Sequence, residues 1–192
     1  MMQTIRDREE RELAATTFDR NVVVTAGAGT GKTTLLVDRL VHLLVRYPDP
    51  LKITEIVALT FTNKAADEMK LRLRERLQAL LTARLNQEAR TESQKQVQTD
   101  LQNLMARYHR TKDQLDVLAR DALRNMERSA IGTIHSFAAT LLRLYPIEAG
   151  LDPQFTEDDG SRFEQLFEQQ WALWLDQELS RSGAHREQWK AF

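Results

Sequence analysis

The sequence predicts an α/β fold with a parallel sheet that this chain contains only in part. Three short apolar segments rich in β-branched residues alternate with longer segments whose apolar residues recur every three or four positions. Alternating strands and helices are typical of a parallel sheet with crossover helices. A glycine-rich turn separates the first strand from the helix that follows it. Because a parallel core buried on both faces usually needs more than three strands, we expect the sheet to be incomplete.

The composition of the chain restricts the class of protein. Its 192 residues and 22.2 kDa are 42% hydrophobic and 29% charged, with a net charge of −1, as in ordinary globular proteins. The absence of cysteine excludes disulfides and thiolate metal sites. No apolar run approaches the ~18 residues of a membrane span, and the N-terminus lacks a signal peptide's apolar core. We therefore expect a cytoplasmic protein without a membrane partner.

The first half of the chain is punctuated by glycine and proline. In order, the predicted elements are a charged helix at 6–18, a strand at 21–25, a turn at 26–31, a helix at 32–47, a strand at 53–61 and a helix from about 63 to beyond 81. The first strand (NVVVT) is short and β-branched, and Pro48 ends the second helix. The helix that begins at about residue 63 carries apolar residues on one face, at spacings of three and four: Met69, Leu73, Leu77, Leu80 and Leu81.

The second half begins with a polar stretch at 82–127 that lacks glycine and proline. Two apolar stripes at helical spacing predict helices there, which we expect to project from the core rather than belong to it. A short strand at 130–134, a helix at 135–145 and a long amphipathic helix near 160–179 follow. We predict that residues 1–81 and 129–147 form one domain, that 82–128 is a helical insertion, and that 148–192 begin a helical subdomain.

Residues 26–33 (AGAGTGKT) match the phosphate-loop pattern, with alanine where the strictest form has its first glycine. Glycines let the backbone turn so that several N–H groups point at phosphate oxygens, and the following helix adds its positive N-terminus. We expect Lys32 to reach the β- and γ-phosphates and the Thr33 hydroxyl to ligate Mg²⁺, which makes both catalytic candidates. The predicted ATP-binding residues are Ala26, Gly27, Ala28, Gly29, Thr30, Gly31, Lys32, Thr33 and Thr34.

The alternative is a glycine-rich turn that precedes a lysine by chance, but the strand–turn–helix context favours a phosphate site. Phosphoryl transfer also needs an acidic residue at a strand end to hold Mg²⁺, and the sequence offers no convincing one. Asp176 and Glu178 are nearest to the pattern, yet helical periodicity places them on a solvated helix face. We expect the isolated chain to bind nucleotide weakly or not at all and to sustain no hydrolysis.

Three motifs together resemble the UvrD/Rep-type superfamily 1 DNA helicases. Residues 21–33 (NVVVTAGAGTGKT) are similar to the first ATPase motif of that family, residues 59–69 (LTFTNKAADEM) to the next, and residues 132–137 (GTIHSF) to a third. Their order and their spread over more than half of the chain make the resemblance specific. It implies a RecA-like motor domain that binds MgATP and moves along single-stranded DNA.

The resemblance also implies DNA contacts at the ends of two strands. By motif position, the contacting residues are Phe61, Thr62, Asn63, Thr133, His135 and Ser136. Phe61 is expected to stack on or abut a base, and the polar residues are expected to contact the DNA backbone. Aromatic stacking tolerates any base, while hydroxyl and amide groups bind phosphate without reading sequence.

Each of these residues has a structural alternative. Phe61 could be a core residue at the end of its strand, Asn63 could be the N-cap of the next helix, and His135 could be a satisfied histidine at a turn. We favour the functional interpretation for these three because of the resemblance. For the basic residues of the following helix, we favour a solvated face; they are Lys70, Arg72, Arg74 and Arg76.

The sequence also departs from the family. The glutamine that reads adenine in many relatives is missing from the stretch at 7–12 (DREERE), and Thr34 stands where many relatives carry an arginine beside the base. Adenine selectivity by that device is therefore in doubt. The long segment between Met69 and Ala130, with the TIHSF sequence, is more similar to AddA or RecB, the motor subunits of helicase–nuclease complexes. That similarity implies a helicase–nuclease partner subunit.

Two other functions are compatible with parts of the sequence. A small P-loop kinase should carry a lid with glycine hinges, and residues 82–127 contain no glycine. A non-enzymatic nucleic-acid-binding module would leave the phosphate loop unexplained. We therefore favour the N-terminal ATP- and DNA-binding part of a DNA helicase, with the kinase as the alternative.

Overall fold

The computed structural model describes residues 2–27, 29–85, 89–156 and 160–179, so the predicted site residue Ala28 lies outside the described residues. The chain divides into two compact units, Met1–Ala138 and Ala139–Phe192. None of the helices in the described ranges has the length and apolar character needed to cross a membrane.

The architecture is mainly helical, with a small parallel sheet, as expected of part of an α/β domain. The elements in chain order are α1 (Met2–Thr16), α2 (Lys32–Val45), β1 (Val57–Thr60), α3 (Asn63–Thr82), α4 (Glu92–Tyr108), α5 (Lys112–Arg124), β2 (Ala130–Thr133), α6 (Ile134–Leu144) and α7 (Ser161–Leu179). Short 3-10 turns at Ile53–Glu55 and Met126–Arg128 precede the two strands. All helices predicted from apolar periodicity are therefore present.

β1 and β2 pair in parallel, with Val57 opposite Ala130 and Thr60 opposite Thr133. The parallel arrangement confirms the prediction made from alternating strands and helices. Because β1 and β2 run in the same direction, the residues that follow them meet at one edge of the sheet. That edge carries two of the three motifs found in the sequence.

The predicted strand at 21–25 is wrong. Within the described residues the sheet contains only β1 and β2, and residues 21–27 run to α2 outside it. The valine side chains are exposed, with Val23 at 88%. Branched residues favour a strand only when a neighbouring strand and a packed face receive them, and the described part of the chain places neither beside this segment.

The predicted strand at 53–61 is also shorter than expected, since only Val57–Thr60 pairs. Its first residues form a 3-10 turn because the Glu55 carboxylate accepts a hydrogen bond from the Lys52 backbone N–H at 2.8 Å. The Glu55 N–H in turn donates to the Lys52 carbonyl at 2.9 Å. This reciprocal cap holds residues 53–55 in a 3-10 turn, so the strand begins only after Ile56.

The principal core lies between α2, α3, α4 and α5. Leu73, Leu77 and Leu101 are fully buried, and Leu104 and Leu115 nearly so. All five belong to one continuous apolar cluster that also includes the inner face of α2 and reaches β2. The expectation that the helices of 82–127 project from the core is therefore wrong, because their apolar stripes complete it.

The ends of α4 and α5 explain why these helices are well defined without glycine or proline. The Thr91 hydroxyl accepts from the Gln94 N–H, and the Gln94 side chain accepts from the Thr91 N–H, which is a capping box. Thr111 and Gln114 repeat the arrangement at α5. Capping of this kind fixes where each helix begins, and apolar packing supplies most of the stability.

A partly buried polar pair joins α2 to α4. His42 Nδ1 and the Tyr108 hydroxyl share a hydrogen bond of 2.8 Å, and the two rings meet edge to face. Burial lowers the pKa of His42 to about 4, with a further contribution from the nearby Arg107 guanidinium. The imidazole is therefore neutral in the folded protein at neutral pH.

His42 makes the folded state sensitive to acid. The unfolded chain takes up the proton near the ordinary histidine pKa of 6.5, whereas the folded chain does so only near 4, so stability falls as pH drops through that window. We expect up to about 3 kcal/mol of the free energy of unfolding to be lost between pH 7 and pH 4. Urea unfolding of the wild type and of His42→Gln across this pH range measures the loss. If the free energy of unfolding fell equally with pH in both proteins, the assignment to His42 would be contradicted.

The second unit contains α7, which confirms the helix predicted near 160–179. Its aromatic side chains form a row of stacked rings with centroids 5.0 to 6.0 Å apart. Spacings of three and four residues place these side chains on one face of the helix. They remain substantially exposed, from 39% to 65%, and are Phe163, Phe167, Trp171 and Trp174.

Candidate functional site

The phosphate-loop motif forms a tight turn at the start of α2. The backbone has positive φ at Gly29 (74°) and at Gly31 (84°), the left-handed region that side chains rarely adopt. The Thr30 hydroxyl donates to the Gly27 carbonyl at 2.8 Å and closes the turn. α2 begins directly afterwards at Lys32, so its N-terminal N–H groups border the loop.

The Lys32 side chain folds back over this loop. Its Nζ donates to the carbonyls of Ala26 at 2.9 Å and Gly27 at 2.6 Å, while the side chain as a whole remains exposed. An ammonium group held by loop carbonyls is available to an incoming anion, which binds it more strongly than neutral carbonyls do. Lys32 therefore lies at the loop, and its contact with the phosphates stays a prediction.

A cavity of about 480 Å³ opens beside the loop. Ala26, Thr30 and Lys32 line one part of it, and α1 and residues 20–25 line the rest with both charged and apolar side chains. Cavities of this size and mixed character accommodate small ligands. The loop, the lysine and the cavity together fit a nucleotide whose phosphates lie against the N-terminus of α2.

Thr33 and Thr34 occupy the first turn of α2, Thr33 partly buried and Thr34 exposed. Thr33 is thus adjacent to the lysine, as a hydroxyl ligand for Mg²⁺ must be. In the described ranges, no three acidic or histidine side chains lie close enough together to hold a metal ion. The hydroxyl fits Mg²⁺ bound mainly through phosphate oxygens and water.

Arg11 on α1 makes a loop contact that sequence reasoning missed. Its Nη2 donates to the Thr30 carbonyl at 2.7 Å, and its Nε donates to the Asp7 carboxylate at 2.9 Å. The side chain lines the nucleotide-sized cavity. Nothing in the local pattern of α1 indicates this role, because the contact joins residues 19 positions apart.

Phe61, Thr62 and Asn63 follow β1 at the edge of the sheet. Phe61 is 90% exposed, so the alternative that it is a core residue is wrong. Thr62 is the N-cap of α3, and its hydroxyl accepts from the Ala65 N–H at 3.2 Å. The alternative that Asn63 caps this helix is therefore also wrong, because Asn63 is the first helical residue and its side chain is exposed.

Thr133 is the last residue of β2, and His135 and Ser136 follow it at the same edge. Thr133 is buried, and its hydroxyl donates to the Ser136 hydroxyl at 3.2 Å and accepts from the Ser136 N–H at 3.1 Å. Gly132 permits this turn, because a Cβ on residue 132 would lie 2.6 Å from the Ser136 Oγ. The interactions turn the chain into α6, and His135 is left exposed.

The sheet brings these two segments together. Thr60 pairs with Thr133, and the Thr60 hydroxyl contacts both the Thr62 carbonyl at 2.9 Å and the Gly132 carbonyl at 3.4 Å. Two short polar segments that are distant in sequence thus form one surface, with the exposed Phe61 ring beside them. An aromatic ring flanked by hydroxyl, amide and imidazole groups suits a single-stranded nucleic acid.

Three arginines of α3 are held in ion pairs. Arg74 pairs with Glu127 at 2.8 Å, and Arg76 pairs with Asp100 at 2.6 Å. Arg72 pairs with Glu68 and also contacts the Thr34 hydroxyl at 3.5 Å. These contacts link α3 to α2, to α4 and to the 3-10 turn at Met126–Arg128, so the arginines have a structural role on this face of the helix.

Comparisons with known proteins bear on the family of this chain. A family model described as UvrD/REP helicase N-terminal domain matches residues 7–190. An ATP-dependent helicase/nuclease subunit of Thermoanaerobacter sp. (strain X514) is 32% identical over 172 residues, which are 85% of this chain and 12% of the relative.

Two further proteins with the same name show similar sequence identities and cover similar shares of this chain. The one from Desulforamulus reducens is 33% identical over 157 residues, 82% of this chain and 10% of the relative. The one from Exiguobacterium sibiricum is 33% identical over 147 residues, 77% of this chain and 10% of the relative. The chain thus spans about a tenth of the length of these relatives.

Proposed function

Since the chain belongs to the UvrD/REP helicase N-terminal domain family, we propose that it is the ATP- and single-stranded-DNA-binding part of an ATP-dependent DNA helicase. The domain would be a RecA-like motor domain. The observation that carries the proposal is the sheet edge, where the segments after β1 and β2 meet beside an exposed phenylalanine. A nucleotide-sized cavity at the phosphate loop of the same unit supports it.

At the nucleotide site, the loop N–H groups and the N-terminus of α2 would bind the phosphates. Lys32 would exchange its loop carbonyls for β- and γ-phosphate oxygens, and the Thr33 hydroxyl would hold Mg²⁺. A bound Mg²⁺ would neutralise charge on those phosphates. Thr34, one residue further along α2, would stay close to the ligand while its hydroxyl remains near Arg72.

At the DNA site, we assign direct contacts to Phe61, Asn63 and His135, whose side chains are exposed. Thr62 and Thr133 would act by shaping the two turns, because their hydroxyls already accept backbone hydrogen bonds. Ser136 would contribute its exposed surface beside His135. Contacts of this kind bind DNA through stacking and phosphate recognition, without reading sequence.

The similarity to proteins named as ATP-dependent helicase/nuclease subunits supports a narrower proposal. The whole protein would unwind or translocate along DNA in repair or recombination, inside the cell, together with a partner subunit of a helicase–nuclease complex. The isolated 192-residue chain would not sustain ATP hydrolysis, because the acidic Mg²⁺ ligand and a second motor domain would come from other parts of that protein.

Phe61 provides the test of the DNA site. In the intact protein, Phe61→Ala is expected to weaken binding to a fluorescein-labelled single-stranded oligonucleotide about 5- to 150-fold, the loss of ~1–3 kcal/mol of stacking. Fluorescence anisotropy with oligo-dT and oligo-dA should give similar losses, because stacking tolerates any base. The matched control is Tyr47→Ala, which removes another exposed ring (62%) away from the sheet edge. Equal affinities for the wild type and Phe61→Ala would reject the assigned interface.

A further inference from the structure

We propose that Arg11 is a positioning residue that holds the phosphate loop in the conformation that binds anions. This inference rests on the proposed nucleotide site, and it concerns how the loop is kept ready for its ligand. The charged stretch of α1 at 7–12 lacks the glutamine that reads adenine in relatives. Under this proposal, the stretch acts on the phosphate loop instead of on the base.

Arg11 contacts the peptide group between Thr30 and Gly31, which carries one of the N–H donors of the phosphate loop. Arg11 Nη2 donates to the Thr30 carbonyl at 2.7 Å, and a Cβ on residue 31 would lie 3.3 Å from Arg11 Nη1. A trans peptide is planar, so its N–H points opposite to its C=O. By fixing the Thr30 carbonyl, Arg11 also fixes the direction of the Gly31 N–H, one of the donors of the phosphate loop.

The loop needs such support because its own residues do not define it tightly. Gly29 and Gly31 both have positive φ, and glycine has more backbone freedom to lose on ordering than any other residue. The Thr30 hydroxyl and the Lys32 ammonium both bind carbonyls on the N-terminal side of the turn. Arg11 supplies a contact on its C-terminal side.

The guanidinium is itself well anchored. Asp7, one helical turn earlier on α1, accepts from Arg11 Nε at 2.9 Å and sets the plane of the group. α1 is fastened to α2 by the small apolar cluster of Ala14, Ala15 and Leu35. The Arg39 guanidinium adds a hydrogen bond to the Ala14 carbonyl at 2.6 Å. Because these contacts hold Arg11 and α1 in place, Arg11 can restrict the motion of the phosphate loop.

This geometry predicts an effect that does not depend on the nucleobase. Arg11 contacts the backbone of the phosphate loop, so its loss should weaken every ligand that uses the loop by the same factor. A residue that reads the base would instead affect ATP and GTP differently and leave a ligand without a base unchanged. The probes that separate these cases are a fluorescent N-methylanthraniloyl-ATP, the matching GTP derivative, and inorganic tripolyphosphate as a competitor.

In the intact protein, we expect Arg11→Gln to weaken all three ligands by about tenfold. This is near the low end for a hydrogen bond to a charged group, since the Arg11 side chain is 40% exposed. Arg11→Lys keeps the charge and can still donate to one partner, but it lacks the planar guanidinium that contacts Thr30 and Asp7 together, so it should recover part of the loss. The matched control is Arg39→Gln, which removes the hydrogen bond to the Ala14 carbonyl away from the loop. It should leave all three affinities unchanged, because the Ala14, Ala15 and Leu35 cluster still holds α1 against α2.

Several results would overturn the inference. Tripolyphosphate affinity that is unchanged in Arg11→Gln, or a loss confined to ATP, would assign Arg11 to the base. An equal loss in Arg39→Gln would show that Arg11 acts only through the stability of α1. A wild-type protein that binds none of the three ligands would reject the nucleotide site itself, whereas normal wild-type binding with an unaffected Arg11→Gln rejects only the role of Arg11.

Discussion

Lys32→Ala is expected to reduce DNA-stimulated ATP hydrolysis by the intact protein by about 10²–10³-fold, the loss typical when one preorganised electrostatic contact to a reacting group is removed. Lys32 is the cation folded over the phosphate loop, where the carbonyls of Ala26 and Gly27 accept hydrogen bonds from its Nζ. Truncation therefore removes the group assigned to the β- and γ-phosphates. The core is untouched, because the side chain is exposed.

The measurement is steady-state ATP hydrolysis with and without single-stranded DNA. Lys70→Ala, which removes a lysine from α3 outside the assigned nucleotide site, is the matched control and should keep the DNA stimulation. Thermal unfolding of both variants should match the wild type. Hydrolysis that is indifferent to DNA would contradict the helicase proposal and favour a small-molecule phosphotransferase. Full activity of Lys32→Ala would contradict the nucleotide site.

The second large effect concerns stability. Leu101→Ala on α4 is expected to lower the free energy of unfolding of the chain by about 2–5 kcal/mol, because it removes a fully buried side chain and leaves a cavity. Leu101 packs in the same cluster as Leu73 and Leu77 of α3. α4 is thus expected to unfold together with the rest of the core.

Urea unfolding followed by circular dichroism measures this effect. Leu71→Ala on α3 is the matched control, since it makes the same chemical change at a leucine that is 56% exposed. We expect the control to stay close to the wild type. Similar small losses in both variants, or a separate transition for Leu101→Ala, would show that α4 contributes little to the core.

Much of the fold could be predicted because its signals are local. The apolar period of α3 identifies Leu73 and Leu77 as buried, and the glycines of the loop mark the start of α2. The parallel pairing of β1 and β2 follows from the alternation of strands and helices. The sequence placed Phe61 at the end of one strand and His135 just after the next, and in the structure each lies beyond the last residue of its strand.

The wrong predictions have a common cause. In each case the local structure is decided by contacts or hydrogen bonds with other residues, which the local sequence pattern does not reveal. Residues 21–25 have strand propensity, but no strand among the described residues lies beside them. The periodic apolar residues of α4 and α5 indicate that each helix has an apolar face. They do not indicate that these faces pack against α2 and α3. Thr62 and Asn63 are both good capping residues, and only the helical hydrogen bonds decide between them.

The pairing of β1 with β2 also bears on the order in which the surface can form. Val57 and Ala130 must meet across a chain segment that contains α3, α4 and α5, and closing a loop of that length has an entropic cost. Helices form in about a microsecond, whereas parallel pairing between distant segments is slow. Early formation of the three helices shortens the effective loop and draws the strands together. Mutations that weaken the α3–α5 cluster should therefore slow folding and delay the juxtaposition of Phe61 with His135, although they touch neither residue.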